Sequence, residues 1–105
     1  LDITYHLEKY CHVILSFKDR DTERVFLGEY SKKLPRELHK KALTKLLAIH
    51  ASNEIEELKI PPSNRLHKLE GDRKNQWSIS INDKYRVCFY FRDGNANEVE
   101  ITDYH

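Results

Sequence analysis

The chain contains no methionine, only two cysteines, and three residues each of glycine and proline among its 105 residues. Cys11 and Cys88 lie far apart in the sequence, so neither a disulfide framework nor a paired-cysteine metal site is indicated. No apolar run approaches the roughly 20 residues that a membrane-spanning helix needs. The first residues mix charged and apolar side chains and do not form the apolar core of a signal peptide. These absences favour a protein of the reducing cytoplasm.

The composition predicts one compact domain, because 39% of the residues are apolar and 33% are charged. The net charge is only +1, but it is unevenly distributed. Residues 31–50 carry six basic side chains against one acidic, and residues 65–92 carry seven against three. Such asymmetry can bind a polyanion. Composition alone equally allows two ordinary solvated faces.

The first half of the chain has the periodicity of helices. Residues 13–17 form an apolar stretch typical of a first strand, and a short helix through residues 25–27 follows a segment that offers Asp19, Asp21 or Thr22 as its cap. Pro35 then suits the first turn of a longer helix. Apolar residues recur in this helix at three- and four-residue steps, namely Leu38, Ala42, Leu43, Leu46 and Ile49. We expect Lys40, Lys41 and Lys45 to lie on its outer, basic face.

The second half has the alternation of strands. Asn53 and Glu56 have the spacing of a capping box for one further helical turn. A strand over residues 65–69, a turn at Gly71-Asp72, and two strands over residues 77–81 and 85–91 follow. Asp93-Gly94 is a strong hairpin signal, after which Val99 and Ile101 continue an inward face. The order predicts an α+β fold in which N-terminal helices pack against an antiparallel β-sheet.

Four short motifs resemble the HigB-type toxins of the RelE/ParE superfamily. They are Gly71-Asp72-Arg73, Trp77-Ser78-Ile79, NDKYRVCF at residues 82–89, and Asp103-Tyr104-His105. The resemblance covers about residues 13–105 and implies a single RelE-like toxin domain there. Residues 1–12 are expected to be an N-terminal extension or added sequence that the fold does not need.

Cleaving RNA without a metal ion requires a proton acceptor for the 2′-OH, cations for the phosphate, and a proton donor for the leaving 5′-oxygen. His67 and His105 can supply either proton-transfer group, and Arg86 can hold the phosphate. The resemblance implies a catalytic set of His67, Arg86, Asp103, Tyr104 and His105. Phosphate contacts are expected from Lys68, Arg73, Lys74 and Lys84, with no metal and no cofactor.

The same residues could also have ordinary structural roles, and these interpretations stay open. Arg86 could pair with Glu98 or Glu100 on the neighbouring strand, His67 could be an ordinary exposed strand histidine, and the C-terminal residues could be a frayed tail. Trp77 is expected in the core rather than in the site.

The resemblance implies a toxin of a type II toxin–antitoxin system that cleaves translated mRNA in the A site of the small ribosomal subunit. Its partner would be a HigA-like helix-turn-helix antitoxin, and only the complex would contact operator DNA. Two alternatives remain: a ParE-like toxin that poisons DNA gyrase, which needs no proton-transfer groups, and an inactive antitoxin-binding module.

Overall fold

The computed structural model of the protein describes residues 13–103. Two helices, α1 (Arg20–Phe26) and α2 (His39–Ala51), precede four strands, β1 (His67–Lys68), β2 (Trp77–Ser80), β3 (Arg86–Arg92) and β4 (Asn95–Thr102). Short 3-10 turns lie at Arg36–Leu38, Ile55–Lys59, Pro62–Asn64 and Gly71–Arg73. The predicted α+β class is confirmed. Within the described range, no helix is long and apolar enough to cross a membrane.

The four strands form one antiparallel sheet in the order β1-β2-β3-β4. Asp93 and Gly94 connect β3 to β4 with φ angles of 54° and 78°. Positive φ at both central residues is the requirement of a type I′ turn, whose twist matches that of the strands it joins. The hairpin predicted at this dipeptide is therefore confirmed.

Helix α1 begins and ends with defined caps. The Asp19 carboxylate accepts the Thr22 backbone N–H at 2.7 Å, which satisfies one of the free donors of the first turn. At the other end Gly28 has φ 81°, its N–H donates to Val25 O, and the Glu29 N–H donates to Arg24 O. These two bonds are those of a Schellman motif. Gly28 thus stops the helix, and the chain turns towards α2.

Helix α2 packs on the sheet through the predicted apolar stripe, since Ala42, Leu46 and Ile49 are fully buried. The expectation that Lys45 lies on the outer face is wrong, because only 8% of Lys45 is exposed. Its position three residues after Ala42 and four before Ile49 places it on the same face of the helix. The side chain is accommodated there because its ammonium donates to Asn64 Oδ1.

The segment at residues 13–17 lies along the outer edge of β4. Ile14 and Phe17 form isolated parallel bridges with Ala96 and Val99, so the predicted first strand occupies a strand position without becoming regular. The cause is an irregularity in β4, where Glu98 has φ 51° and the register with β3 shifts. A bulge of this kind interrupts the hydrogen-bond ladder.

Two further predictions are wrong in detail. The capping box joins Glu54 and Glu57 rather than Asn53 and Glu56, and the predicted helical turn that follows is of the 3-10 type. The strand expected over residues 65–69 is limited to β1. Arg65 is left-handed, with φ 48°, and this conformation keeps it out of an extended strand.

The core lies between the helices and one face of the sheet. It contains α2 side chains together with Ile79, Val87, Phe89, Val99 and Ile101 from the strands, all at most 2% exposed. The prediction that Val99 and Ile101 face inward is confirmed, and Trp77 packs against this cluster as expected.

Leu46 and Leu47 give a direct measure of what this core contributes. Leu46 is fully buried, whereas 48% of Leu47 is exposed. Leu46→Ala should lower the free energy of unfolding by about 2–5 kcal/mol because it removes a buried side chain and leaves a cavity. Leu47→Ala should change it by at most about 0.5 kcal/mol. Urea denaturation compares the two variants, and equal losses would contradict the packing described here.

Candidate functional site

The face of the sheet turned away from the helices is polar. Strand register aligns His67, Ser78, Cys88 and Glu100 in one row across the sheet, and Ser80, Arg86 and Thr102 in the next. Side chains in register lie on one face and within contact distance of their neighbours. The sheet therefore brings the predicted residues His67 and Arg86 together from different strands.

Two hydrogen bonds from the Nε and Nη2 atoms of Arg86 hold its guanidinium in place. Its Nε donates to Ser78 Oγ at 2.5 Å, and its Nη2 donates to the Arg65 carbonyl oxygen at 3.4 Å. The ion pair with Glu98 or Glu100 that would make Arg86 a structural residue is not present. Indeed no carboxylate within residues 13–103 pairs with Arg86. The guanidinium is therefore held in place by neutral groups and keeps its charge available to an anion.

The ring of His67 is oriented by the same carbonyl. Its Nδ1 lies 2.9 Å from the Arg65 oxygen and 3.4 Å from Arg86 Nη2. A carbonyl oxygen only accepts hydrogen bonds, and its contact with Nδ1 is the shorter of the two, so we assign the proton of the neutral ring to Nδ1. This leaves Nε2 as an acceptor on an exposed side chain. His67 and Arg86 thus converge on one backbone oxygen, with a proton acceptor beside a cation.

Arg73 has a different environment from Arg86. Its Nη1 donates to Glu100 Oε1 at 3.0 Å and to Gln76 Oε1 at 3.1 Å. Both side chains of the ion pair are largely buried, at 24% and 15% exposed. The pairing considered for Arg86 is thus made by Arg73. Arg73 covers one end of the first row and has much of its charge neutralised there.

Cys88 lies beneath these arginines and is fully buried between Ser78 and Glu100. Burial raises the pKa of its thiol, and the positive charges of Arg73 and Arg86 offset only part of that effect. A buried, protonated thiol is a poor nucleophile. Its burial and its raised pKa therefore indicate a packing role for Cys88 under the site.

The remaining predicted residues lie in separate places, and Lys68 pairs with Trp77 on the face of β1 opposite to His67. Lys68 Nζ lies 5.8 Å from the Trp77 ring centroid, and Lys74 is exposed at the end of the Gly71–Arg73 turn. Lys84 Nζ lies 4.0 Å from a carboxylate oxygen of Asp103, and both side chains are more than half exposed. Asp103 follows Thr102, which is the residue paired with Arg86. Tyr104 and His105 lie outside the described residues.

Three contacts that were not predicted from the sequence complete the arrangement. Ser78 holds Arg86, the Arg65 carbonyl holds His67, and Glu100 holds Arg73. For Ser78 a signal existed, because its alternation with Trp77 and Ile79 already placed it on the polar face. A main-chain carbonyl leaves no such signal in a sequence.

Comparison with known proteins decides the family. A model of the HigB-like toxins, described as RelE-like toxins of type II toxin–antitoxin systems, matches residues 15–105. The chain belongs to this family. It is 35% identical over 83 residues to Toxin HigB-1 of Vibrio cholerae, an alignment that covers 78% of this chain and 87% of that protein. It is 32% identical to Endoribonuclease HigB of Proteus vulgaris, covering 89% of this chain and all of that protein.

These matches confirm the predicted family and, through the Proteus vulgaris relative, the predicted endoribonuclease activity. The fold has a counterpart in the YoeB-YefM complex from Staphylococcus aureus, with a TM-score of 0.51 at 16% identity. That alignment covers 90% of this HigB-like chain and 97% of the other, and it confirms the RelE-like fold. As a toxin of a toxin–antitoxin family, the protein has an antitoxin as its partner.

The burial of Cys88 leads to a chemical prediction. In a Cys11→Ser variant, where Cys88 is the sole thiol, a thiol reagent at pH 8 should react at least about 100-fold more slowly with folded than with urea-unfolded protein, because reaction requires opening of the structure. Absorbance of the released chromophore follows both rates. Rapid reaction of the folded protein would mean that the thiol is accessible.

Proposed function

We propose that this toxin cleaves mRNA presented by the ribosome, without a metal ion, and that His67 and Arg86 form the centre of its active site. One observation carries the proposal. Arg86 has no carboxylate partner in the described part of the chain and lies 3.4 Å from a histidine whose Nε2 is free to accept a proton. A lone guanidinium beside a proton acceptor suits a phosphodiester next to a ribose hydroxyl.

In the proposed reaction, His67 Nε2 accepts the proton of the 2′-OH, and the 2′-oxygen attacks the adjacent phosphorus. The bond from phosphorus to the 5′-oxygen breaks, and His105 donates a proton to that leaving oxygen. The products are a 2′,3′-cyclic phosphate and a 5′-hydroxyl. Arg86 stabilises the charge that develops on the phosphate oxygens, since a fixed cation needs no reorganisation during the reaction.

The open shape of the site supports dependence on the ribosome. His67 is exposed on a two-residue edge strand, and the concavity beside it is lined by residues from a short stretch, His67 to Arg73. Such a surface gives an RNA strand few fixed contacts, whereas attack by the 2′-oxygen requires close alignment of the reacting atoms. A ribosome that already holds the mRNA in place supplies that alignment. Lys68, Lys74 and Lys84 add phosphate contacts around the centre.

The remaining parts of the proposal concern partners. The antitoxin is a HigA-like helix-turn-helix protein, and the toxin reaches operator DNA only within their complex. Its place of action is the cytoplasm, where translating ribosomes are found. Tyr104 and Asp103 lie next to the proposed proton donor in sequence and assist it.

Cleavage in the presence of EDTA tests this function. The purified toxin should cut mRNA in programmed ribosomes within translated codons and yield cyclic phosphate ends, while the same transcript free in solution stays largely intact. Primer extension and end analysis measure both. Equal cleavage of free RNA would contradict ribosome dependence. Magnesium is added with the EDTA so that the free Mg²⁺ concentration that the ribosomes need stays constant. Loss of cleavage under these conditions would contradict the metal-free reaction.

Arg86 and Arg92 lie on the same strand and the same face, which makes them a matched pair. Arg86→Ala should lower the cleavage rate by about 10²–10³ or more, because a fixed donor to the developing charge is lost. Changing the pH should not restore it. Arg92, whose side chain is 89% exposed and whose Nε lies 3.8 Å from an Asp93 carboxylate oxygen, should be replaceable by alanine without effect. A fully active Arg86→Ala variant would refute the site.

The two histidines should each contribute to proton transfer. His67→Ala and His105→Ala should each lower the rate by about 10²–10⁴, the usual contribution of a general acid or base. Because His67 is exposed, His67→Ala should leave the free energy of unfolding within about 0.5 kcal/mol of the wild-type value. Single-turnover rates and urea midpoints are measured on the same preparations. Full activity of either folded variant would remove that histidine from the mechanism.

A further inference from the structure

A polar pocket of about 260 Å³ lies between α2 and the loop that follows β2. Its walls include Lys41, Lys45, Ser63, Arg65 and Asn82. Hydrogen bonds to neighbouring residues support the walls. Asn64, the acceptor of Lys45, donates through Nδ2 to Leu58 O at 3.0 Å, and the Asn82 side chain accepts the Tyr85 N–H at 2.7 Å. The pocket has room for several water molecules at about 30 Å³ each, and so for a phosphate group with its hydration.

Lys45 is the unusual group in this pocket. Only 8% of it is exposed, and among residues 13–103 it has no ion pair. Its hydrogen bond to Asn64 Oδ1 is 2.5 Å long and uses one of three ammonium donors. Burial and then the charge of Lys41 lower the pKa of Lys45. A buried cation without a counter-ion is costly, and an anion bound in the pocket would offset that cost.

Arg65 connects this pocket to the candidate active site. Its carbonyl oxygen contacts His67 and Arg86, while its guanidinium pairs with Asp83 at 3.1 Å on the rim of the pocket. With Lys41 and Lys45, the pocket contains three basic side chains against one acidic. Ser80, which pairs with Arg86 across the two strands, also lines the pocket. Arg65 and Ser80 therefore link the surplus of positive charge to the place where the scissile phosphate is proposed to bind.

We propose that the pocket at Lys41, Lys45 and Arg65 is a second phosphate-binding subsite, which takes a phosphodiester of the substrate RNA next to the one held by Arg86. The proposal rests on the proposed function for the identity of the ligand. An RNA strand presents phosphates at regular intervals, so a strand that reaches Arg86 brings further phosphates to the surroundings of the site. Backbone contacts of this kind fix the position of the strand without reading its sequence.

Binding of an uncleavable RNA analogue tests the subsite independently of cleavage. A hexanucleotide with 2′-deoxyribose throughout lacks the attacking hydroxyl, and inorganic phosphate serves as the minimal probe. Titration of the isotopically labelled full-length protein should shift the amide signals of Ser63 and Asn82 with either probe. Unmoved signals at both residues would overturn the proposal.

Lys41 and Lys40 are adjacent exposed lysines of α2, and only Lys41 lines this pocket. Lys41→Ala should weaken hexanucleotide binding by about fivefold, as expected for one exposed charge contact. The slope of log K against log salt should fall by about 0.7, since one fewer phosphate is neutralised. Lys40→Ala should change neither quantity. Equal effects of the two substitutions would overturn the proposal, because a general charge effect would then explain the result.

Lys45→Met separates binding from structure. Methionine keeps the length of the side chain without its charge, and the phosphate-dependent shifts should disappear while the unfolding midpoint shows that the fold persists. If Lys45→Met does not fold, the hexanucleotide affinity and the salt dependence of Lys41→Ala still test the subsite. Weaker binding of Lys41→Ala to ribosomes with unchanged hexanucleotide binding would overturn the proposal and assign the lysine to ribosomal RNA. Cleavage of programmed ribosomes by the wild type, measured in parallel, reports on the proposed function alone.

Discussion

The pairing register of β2 with β3 is the constraint on which both faces of the sheet depend. It sets Ile79 against Val87 on the side of the helices, and Ser78 against Cys88 on the other. A shift of one residue would turn every side chain of β2 to the opposite face. Burial of Ile79 and Val87 therefore also fixes the position of Ser78, and through it the guanidinium of Arg86. Core packing and site geometry are two results of the same register.

The two arginines of the polar face show how local partners assign different roles to the same side chain. Arg73 pairs with Glu100 in a largely buried environment and closes one end of the sheet face. Arg86 is held by a hydroxyl and a carbonyl, which orient it, and no carboxylate within residues 13–103 compensates its charge. A cation in that state attracts an anion from solution, whereas a cation already paired with a carboxylate must first give up that partner. The distinction follows from the neighbours and not from exposure alone.

The sequence predicted the elements whose signals are local. The stripe of α2 and the Asp93-Gly94 hairpin are examples, because their periodicity and turn chemistry lie within a few residues. The spacing of Lys45 already put it on the apolar face of α2, but its charge favoured the outer face, and the acceptor that lets it stay buried, Asn64, lies 19 residues further along the chain. Glu100, the carboxylate partner of Arg73, is 27 residues distant. His67 and Arg86 were found as candidates through the family resemblance, but their meeting at the Arg65 carbonyl depends on tertiary structure that no local pattern encodes.

The segment at residues 13–17 affects how the sheet can meet another protein. Its bridges to Ala96 and Val99 use backbone groups on the outer edge of β4. At the opposite edge, β1 is two residues long and carries a histidine and a lysine. Sheets with a long unpaired edge invite strand addition and aggregation, while short or covered edges resist both. In the described part of this chain, neither edge offers a long template, so a partner that reaches these two edges meets mainly side chains.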